Sequence, residues 1–273
     1  MKRIADLHTH SAASDGQYSP AELVSLAKER AVQVLALTDH DTIGGTDEAI
    51  QAGKRLGVKV LRGVEFSARG YRTFHILGYR FSPDAPSMVA MLPDLEAGRD
   101  ERKYRIADYL KWKGVDIPLS EVEELAQGVV GRPHFARVML RRGVCSEWKK
   151  VFDFYLDTDE FHRIVEQGKP DARTCVEAVK NADGIVSLAH PYQIGLEADE
   201  LDALVKKMKG WGLDAIECWY PKHTPEMTAQ YLALAKKYRL HITGGSDFHG
   251  EKVKPELQIA ALELELGWLL ENQ

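Results

Sequence analysis

The sequence predicts an α/β protein built from parallel βα units, with a helical segment inserted part-way along the chain. Three observations carry this. Short, nearly unbroken apolar runs of strand length recur along the 273 residues, each followed by a stretch with helical spacing. Between about Pro83 and Asp171 that rhythm gives way to charged, helix-patterned sequence, and then it resumes. His and acidic residues gather at the C-terminal ends of the strands, the rim on which parallel α/β barrels build their active sites.

Ile4 to Leu7 reads as a first buried strand, ending at His8-Thr9-His10. Ser19-Pro20-Ala21-Glu22 has the form of a helix start, with Ser as N-cap, Pro in the first turn and Glu at the third position. Val32 to Leu37 is the second strand and leads into Thr38-Asp39-His40-Asp41. Thr46 to Leu56 is helical and closed by Gly57. Val58 to Leu61 is a third strand, with Glu65 just beyond it, and Thr73 to Tyr79 a fourth containing His75. In the inserted segment, Met88 to Lys113, Leu119 to Gln127, the stretch after Gly131 through Leu140, and Trp148 to Gln167 have helical or mixed character. Strands then recur at Gly184 to Ala189, Ala215 to Cys218 and His241 to Gly245, separated by helices at Leu201 to Trp211 and Pro225 to Tyr238. About seven strands are expected in all.

Composition limits the function classes. A hydrophobic fraction of 44% and a charged fraction of 28% fit a folded globular chain. The net charge of −5 offers no bulk attraction for polyanions, so long nucleic acid is not an expected partner. Three widely spaced cysteines make no disulfide framework and suit a reducing cytoplasm. No apolar signal region or membrane span is expected.

The chemistry centres on His8 and His10. Residues two apart on a strand face the same side, so both imidazoles can reach one metal ion, with Asp15 nearby. Collected on the rim are His8, His10, Asp15, His40, Glu65, His75, His190, Asp247 and His249. So many imidazole and carboxylate groups in one pocket require cations to organise them. Mixed nitrogen and oxygen donors without thiolate suit Mn²⁺, Fe²⁺ or Zn²⁺, and the set accommodates two or three ions with Glu65 bridging.

Five motifs, Asp6-Leu7-His8-Thr9-His10, Thr38-Asp39-His40-Asp41, Gly63-Val64-Glu65, Ala189-His190-Pro191 and Gly245-Ser246-Asp247-Phe248-His249, resemble in order those of the PHP (polymerase and histidinol phosphatase) family of the amidohydrolase superfamily. The resemblance implies a distorted (β/α)₇ barrel hydrolysing phosphate esters by metal-activated hydroxide attack, with His8, His10, Glu65, Asp247 and His249 at the catalytic core. It implies one ion on His8, His10, Glu65 and Asp247, a second on Asp15, His40 and His249, and a third on Glu65, His75 and His190. The barrel would comprise residues 1–83 and 172–273, and a helical cap for substrate recognition residues 84–171.

Gly131-Arg132-Pro133-His134-Phe135-Ala136-Arg137 resembles the insertion motif of the subgroup containing nucleoside 3′,5′-bisphosphate phosphatases and 5′-to-3′ exoribonucleases. Arg132 is placed to grip a second phosphate, with His134 beside it. Gly168-Lys169-Pro170 stands later than in that subgroup, which separates the substrate question from the metal chemistry. His223 is a further candidate substrate contact, and Trp219 and Tyr220 either stack on a base or cover the barrel edge. His162 and the charge run Glu96 to Arg105 read as solvated helix surface, His241 as structural, and the cysteines as core fillers. The expected substrate is a small phosphorylated metabolite, first a nucleotide: the 3′-phosphate of a nucleoside 3′,5′-bisphosphate. Ribose cyclic-phosphate diesterase, 5′-to-3′ exoribonuclease and histidinol phosphatase are alternatives within the same chemistry. A regulatory barrel without catalysis is the alternative from another class.

Overall fold

The structure, a computed structural model, describes residues 1–71, 73–126, 130–165 and 168–270. Eight strands form one nearly closed barrel: β1 (Lys2–Thr9), β2 (Val34–Leu37), β3 (Lys59–Ala68), β4 (Phe74–Tyr79), β5 (Ile185–Leu188), β6 (Ala215–Trp219), β7 (His241–Gly244) and β8 (Leu262–Glu265). β1 to β7 follow one another in chain order around the wall, and β8 lies beyond β1. Away from the rim the parallel strands are largely apolar because helices cover the outside and side chains fill the interior. β2, with all four residues buried, shows this most plainly.

Helices α1 (Pro20–Glu29) and α2 (Thr46–Leu56) fall where the capping signals place them. Ser19 and Glu22 form the reciprocal capping box, and Gly57 closes α2 in the left-handed conformation. On the far side of the chain, α8 (Ala172–Lys180), α9 (Ala198–Trp211) and α10 (Pro225–Tyr238) pack against β4 to β7. The (β/α)₇ expectation holds, with a distortion at β4. That strand runs antiparallel to both β3 and β5, where a fourth parallel unit had been expected. Residues 69–73 are too few for a crossover helix, so β3 and β4 form a hairpin. The reversal has a functional result: His75, near the start of β4, stands beside Ser67 and two residues from Glu65 in the register.

β8 is absent from the sequence expectation. Its alternation Leu262-Glu263-Leu264-Glu265 is a strand pattern, but it follows no helix and breaks the βα rhythm. It pairs antiparallel with the first half of β1, Lys2 to Ala5. The second half of β1 meets the segment after β7 instead, through His10 N–H to Phe248 O (2.9 Å) and Asp247 N–H to His8 O (2.8 Å). Asp6 ties this seam by accepting from the backbone of His8, Ser246 and Ala260 and from Ser246 Oγ (2.6 Å). Tyr79, fully buried, donates across the interior to Leu7 O at 2.8 Å.

Between β4 and β5 come α3 (Pro86–Trp112), α4 (Leu119–Glu123), α5 (Arg132–Arg141), α6 (Trp148–Val151), a π turn at Phe152–Leu156, and α7 (Asp159–Val165). α4 is shorter than expected, and Gln127 and Gln167 lie outside the described residues. These helices have a hydrophobic core of their own, including Ile106, Leu110, Phe135, Met139 and Phe161. α3 spans both cores. Met88 and Leu92 at its start pack with the barrel's helices, whereas Ile106 to Leu110 belong to the inserted core. At 27 residues it is about 40 Å long, enough to carry side chains from one core to the other.

Among the described residues no helix is long and apolar enough to cross a membrane. The β1–β7 seam leaves no room at Gly245, where a Cβ would collide with the backbone and Cβ of His8 and with Asp6 Oδ1 at 2.9 Å. Gly245→Ala is therefore expected to push β1 away from the seam and destabilise the protein by about 3 kcal/mol. Thermal unfolding of the purified variant checks this, and a wild-type melting temperature would contradict it.

Candidate metal centre and substrate cavity

Glu65 lies at the focus of the barrel rim, fully buried near the C-terminal end of β3. Its Oε1 is 2.8 Å from His75 Nδ1 and 2.9 Å from His190 Nε2. Its Oε2 is 3.1 Å from His40 Nδ1, 3.2 Å from His10 Nε2 and 3.3 Å from His8 Nε2. Five imidazoles from four chain segments thus surround one carboxylate. Asp247 Oδ1 joins them at 3.3 Å from His10 Nε2 and 3.6 Å from His8 Nε2. Asp15 faces the opposite nitrogen of His10 at 4.0 Å, His40 Nε2 at 4.0 Å and His249 Nε2 at 3.3 Å.

All nine residues expected on the rim are thus brought together. Donor atoms of eight of them converge in overlapping sets: His8, His10, Glu65 and Asp247; His10, Asp15, His40 and His249; and His40, Glu65 and His75, with His190 reached through Glu65 Oε1. Several of these atoms, namely His8 Nε2, both ring nitrogens of His10, His40 Nδ1 and Glu65 Oε2, are buried with no hydrogen-bond partner. Buried polar atoms are almost always satisfied, and here bare donors point at one another across about 3 Å. Divalent cations between them would resolve that, so the residues fit the metals the chemistry calls for.

The electrostatics agree. Burial alone would neutralise Glu65, yet His8, His40 and His75 hold its carboxyl well below the usual carboxylate range. Asp247 is likewise buried and likewise held down, by Lys254 and His249. Burial works against charge on His10 too, but Asp247 and Glu65 outweigh it and raise the imidazole to about 9. Burial wins at His75, which falls to about 4. Two of the rim residues carry unusual backbone: His190 at φ 21° and Asp247 at φ 54°. Positive φ at a non-glycine residue costs on the order of 1 kcal/mol or more and needs support from its surroundings.

That support comes from residues that sequence reasoning missed. Glu217, in β6, touches both His8 and the backbone of His190. Tyr220 Oη (3.0 Å) and Lys254 Nζ (2.7 Å) both donate to Asp247 Oδ2, leaving Oδ1 to face the histidines. Asp39 accepts from Ser11 and Ser14 and steadies the loop carrying Asp15. A charged residue inside a buried rim strand was the available signal for Glu217. Lys254 stands alone in a loop and gave none.

Above the cluster lies a cavity of about 590 Å³. Seven cationic side chains line it: Arg99 and Arg102 from α3, Arg132 from α5, Lys169, and Lys222, Lys252 and Lys254 from loops after β6 and β7. The late Gly168-Lys169-Pro170 therefore still reaches the cavity. The charge run Glu96 to Arg105 is not the solvated face the sequence suggested. Arg99 and Arg102, one turn apart, point inward, and buried Arg99 pairs with Asp41 at 2.7 Å.

Arg132 lines the cavity, held by Asp157 Oδ1 at 2.8 Å and by Leu156 O. The same Asp157 oxygen pairs with His162 Nε2 at 2.8 Å, so His162 is a buried partner, not a solvated one. Its side chain turns inward because α7 packs that face on the inserted core. His134 is buried away from the cavity lining, and its Nδ1 accepts the Gly131 N–H at 2.9 Å, capping α5. His223 does not line the cavity either. It binds Cys218 O through Nδ1, packs against Tyr192, Tyr220 and Tyr231, and borders a separate apolar groove with Trp219. The chain after β6 turns there, and its register sends Tyr220 inward while Trp219 and His223 go outward. His241 stacks on Trp268 at 4.1 Å.

A sequence profile of the PHP domain matches residues 6–168. The chain belongs to the PHP domain family. A 5′-3′ exoribonuclease of Haemophilus influenzae is 37% identical over 253 residues, 91% of each chain. A 3′,5′-nucleoside bisphosphate phosphatase of Chromobacterium violaceum is 31% identical, covering 89% of this chain and 86% of the relative. A phosphoribosyl 1,2-cyclic phosphate 1,2-diphosphodiesterase of Eggerthella lenta is 32% identical, covering 91% and 95%. Among solved structures, an amidohydrolase from Chromobacterium violaceum with bound sulfate superposes with a TM-score of 0.85 at 30% identity, covering 96% of this chain and 91% of that one. One from Bifidobacterium adolescentis, inferred to be a metal-dependent phosphoesterase, gives 0.82 at 29%, covering 96% and 92%. This PHP protein is a metal-dependent phosphoesterase, which sets aside the non-catalytic module.

Because an imidazolium cannot ligate, metal uptake by the metal-free protein must displace protons. With His10 raised to about 9 and His8 also raised, against burial, by Glu65 and Glu217, apparent affinity for Mn²⁺ is expected to rise with pH from 7 to 9. Calorimetry in two buffers of different ionisation heat would show the released proton, and a pH-independent affinity would count against it.

Proposed function

We propose that this PHP phosphoesterase removes the 3′-phosphate of a nucleoside 3′,5′-bisphosphate. The observation that carries this reading is the charge of the cavity. Seven cationic side chains exceed what a single phosphomonoester requires, and about 590 Å³ suits one nucleotide. A relative bearing that activity in its name adds support.

In this reading His8, His10, Glu65 and Asp247 hold one ion, Asp15, His40 and His249 a second, and Glu65, His75 and His190 a third, drawn from Mn²⁺, Fe²⁺ or Zn²⁺. Such ions supply a nucleophile at neutral pH and Lewis-acid stabilisation of the phosphoryl group. Glu65 joins the sets through its two oxygens. Tyr220 and Lys254 fix which oxygen Asp247 presents. Arg132, its guanidinium plane set by Asp157, grips the non-reacting phosphate in bidentate fashion, a geometry that Lys cannot copy. Trp148 and Phe152, both lining the cavity, offer ring faces to the base. Residues 84–171 serve as the recognition cap and the remainder as the metal-bearing barrel. With three free thiols, the protein works in the cytoplasm.

The 5′-to-3′ exoribonuclease reading has its own support. Lys222 and exposed Lys252 line the cavity from the barrel loops, where a following phosphodiester would pass, and the relative at 37% identity bears that name. The overall charge of −5 does not describe this local surface. Mn²⁺-loaded protein is assayed with adenosine 3′,5′-bisphosphate, a ribose 1,2-cyclic phosphate, histidinol phosphate and a short 5′-phosphorylated RNA. The bisphosphate is expected to give the highest kcat/KM. Faster turnover of any other substrate would replace the proposal with that activity.

Arg132→Ala is expected to raise KM for the bisphosphate about 10- to 100-fold, the worth of a lost charge-assisted contact. Hydrolysis of a simple aryl monophosphate should be nearly unaffected. Equal losses on both substrates would argue that Arg132 only supports the fold.

A further inference from the structure

Glu217 is wholly buried, and no Lys or Arg pairs with it among the described residues. A carboxyl group in that setting is costly unless both of its oxygens find partners. Its two oxygens face two parts of the metal cluster. Oε1 is 3.1 Å from His8 Nδ1, and Oε2 accepts the backbone N–H of His190 at 2.7 Å.

We propose that Glu217 is the positioning residue of the metal centre, fixing which nitrogen of His8 faces the ions and holding His190 in its strained backbone. The inference rests on the nine-residue cluster binding metal. Oε2 is already an acceptor for the His190 N–H and Oε1 faces Nδ1, so the His8–Glu217 hydrogen bond has Nδ1–H as its donor. In the neutral ring that a metal requires, Nε2 is then the nitrogen left bare, on the side where Glu65 Oε2 lies 3.3 Å away and Asp247 Oδ1 3.6 Å away. The orphaned state of that Nε2 is the counterpart of the satisfied Nδ1. A histidine that donates its outer N–H to a carboxylate is a better and better-aimed metal ligand.

The second oxygen acts on the main chain. His190 sits at φ 21°, ψ 68°, a sparsely populated conformation, and its ring brings Nε2 to 2.9 Å from Glu65. Holding the N–H of His190 fixes that conformation where β5 ends. One side chain from β6 thus sets the His8 imidazole in β1 and the backbone after β5.

A glutamine of the same shape cannot do both. It has one acceptor oxygen, and its NH₂ would confront either the His190 N–H or His8 Nδ1. In the second case the proton of His8 moves to Nε2 and blocks it. Zn²⁺ is titrated calorimetrically into metal-free wild-type and Glu217→Gln protein, with bound metal counted by mass spectrometry. The variant is expected to lose one ion or to bind it about 10- to 100-fold more weakly. In Zn²⁺-loaded, ¹⁵N-labelled wild type, His8 should show a protonated Nδ1 and a metal-shifted Nε2, a signature that mere packing would not produce and that needs no variant to fold. Wild-type stoichiometry with affinity within twofold in Glu217→Gln, or an unprotonated His8 Nδ1, would overturn the proposal. Wild type that takes up no Zn²⁺ would instead defeat the metal-centre reading beneath it.

Discussion

Five imidazoles within 3.3 Å of the one carboxylate of Glu65 form the constraint around which this molecule is arranged. A fully buried carboxylate so placed is untenable in isolation, and so are bare imidazole nitrogens turned toward it. Divalent cations between them would reconcile them. The rest of the barrel reads as the apparatus that brings those segments to one point. β1 delivers two histidines, β2 and β5 one each just past their ends, and the reversed β4 returns His75 to the same rim.

Donors held this closely need a supporting layer. Asp6 closes the seam between β1 and the loop after β7, Asp39 steadies the loop bearing Asp15, and Tyr220 with Lys254 restrains Asp247. Positive φ angles at Asp41, His190 and Asp247 fall within this layer or next to it. Strain concentrated around a functional centre is stable only where surrounding bonds over-determine it, and here they do.

The inserted helices build a second core and turn one side of it toward the cavity. Arg132, Asp157 and His162 form a chain from the cavity wall into that core. α3 contributes two arginines spaced to share one helix face. The His and carboxylate cluster of the rim is thus paired with a cationic chamber made partly by the inserted helices and partly by loops after β6 and β7. Relatives bearing three different activity names match this chain over about nine-tenths of its length, so membership of the family does not by itself fix the substrate.

Sequence alone determined the α/β class, the interruption and its helical nature, and the nine polar residues of the rim. Each depends on local signals: apolar runs, capping residues such as Ser19 and Gly57, and His or acidic side chains at strand ends. It did not determine the direction of β4, because a hairpin and a parallel crossover begin with the same apolar run. Nor did it find β8, a strand outside the βα rhythm. Tertiary structure alone decided which charges face inward. His162 and Arg99 are buried, His134 caps a helix, and His223 turns to another groove, because the neighbours that bury or bond them lie far along the chain. The pairing of Glu217 with His8 spans 209 positions, and no local pattern encodes a contact that only barrel closure creates.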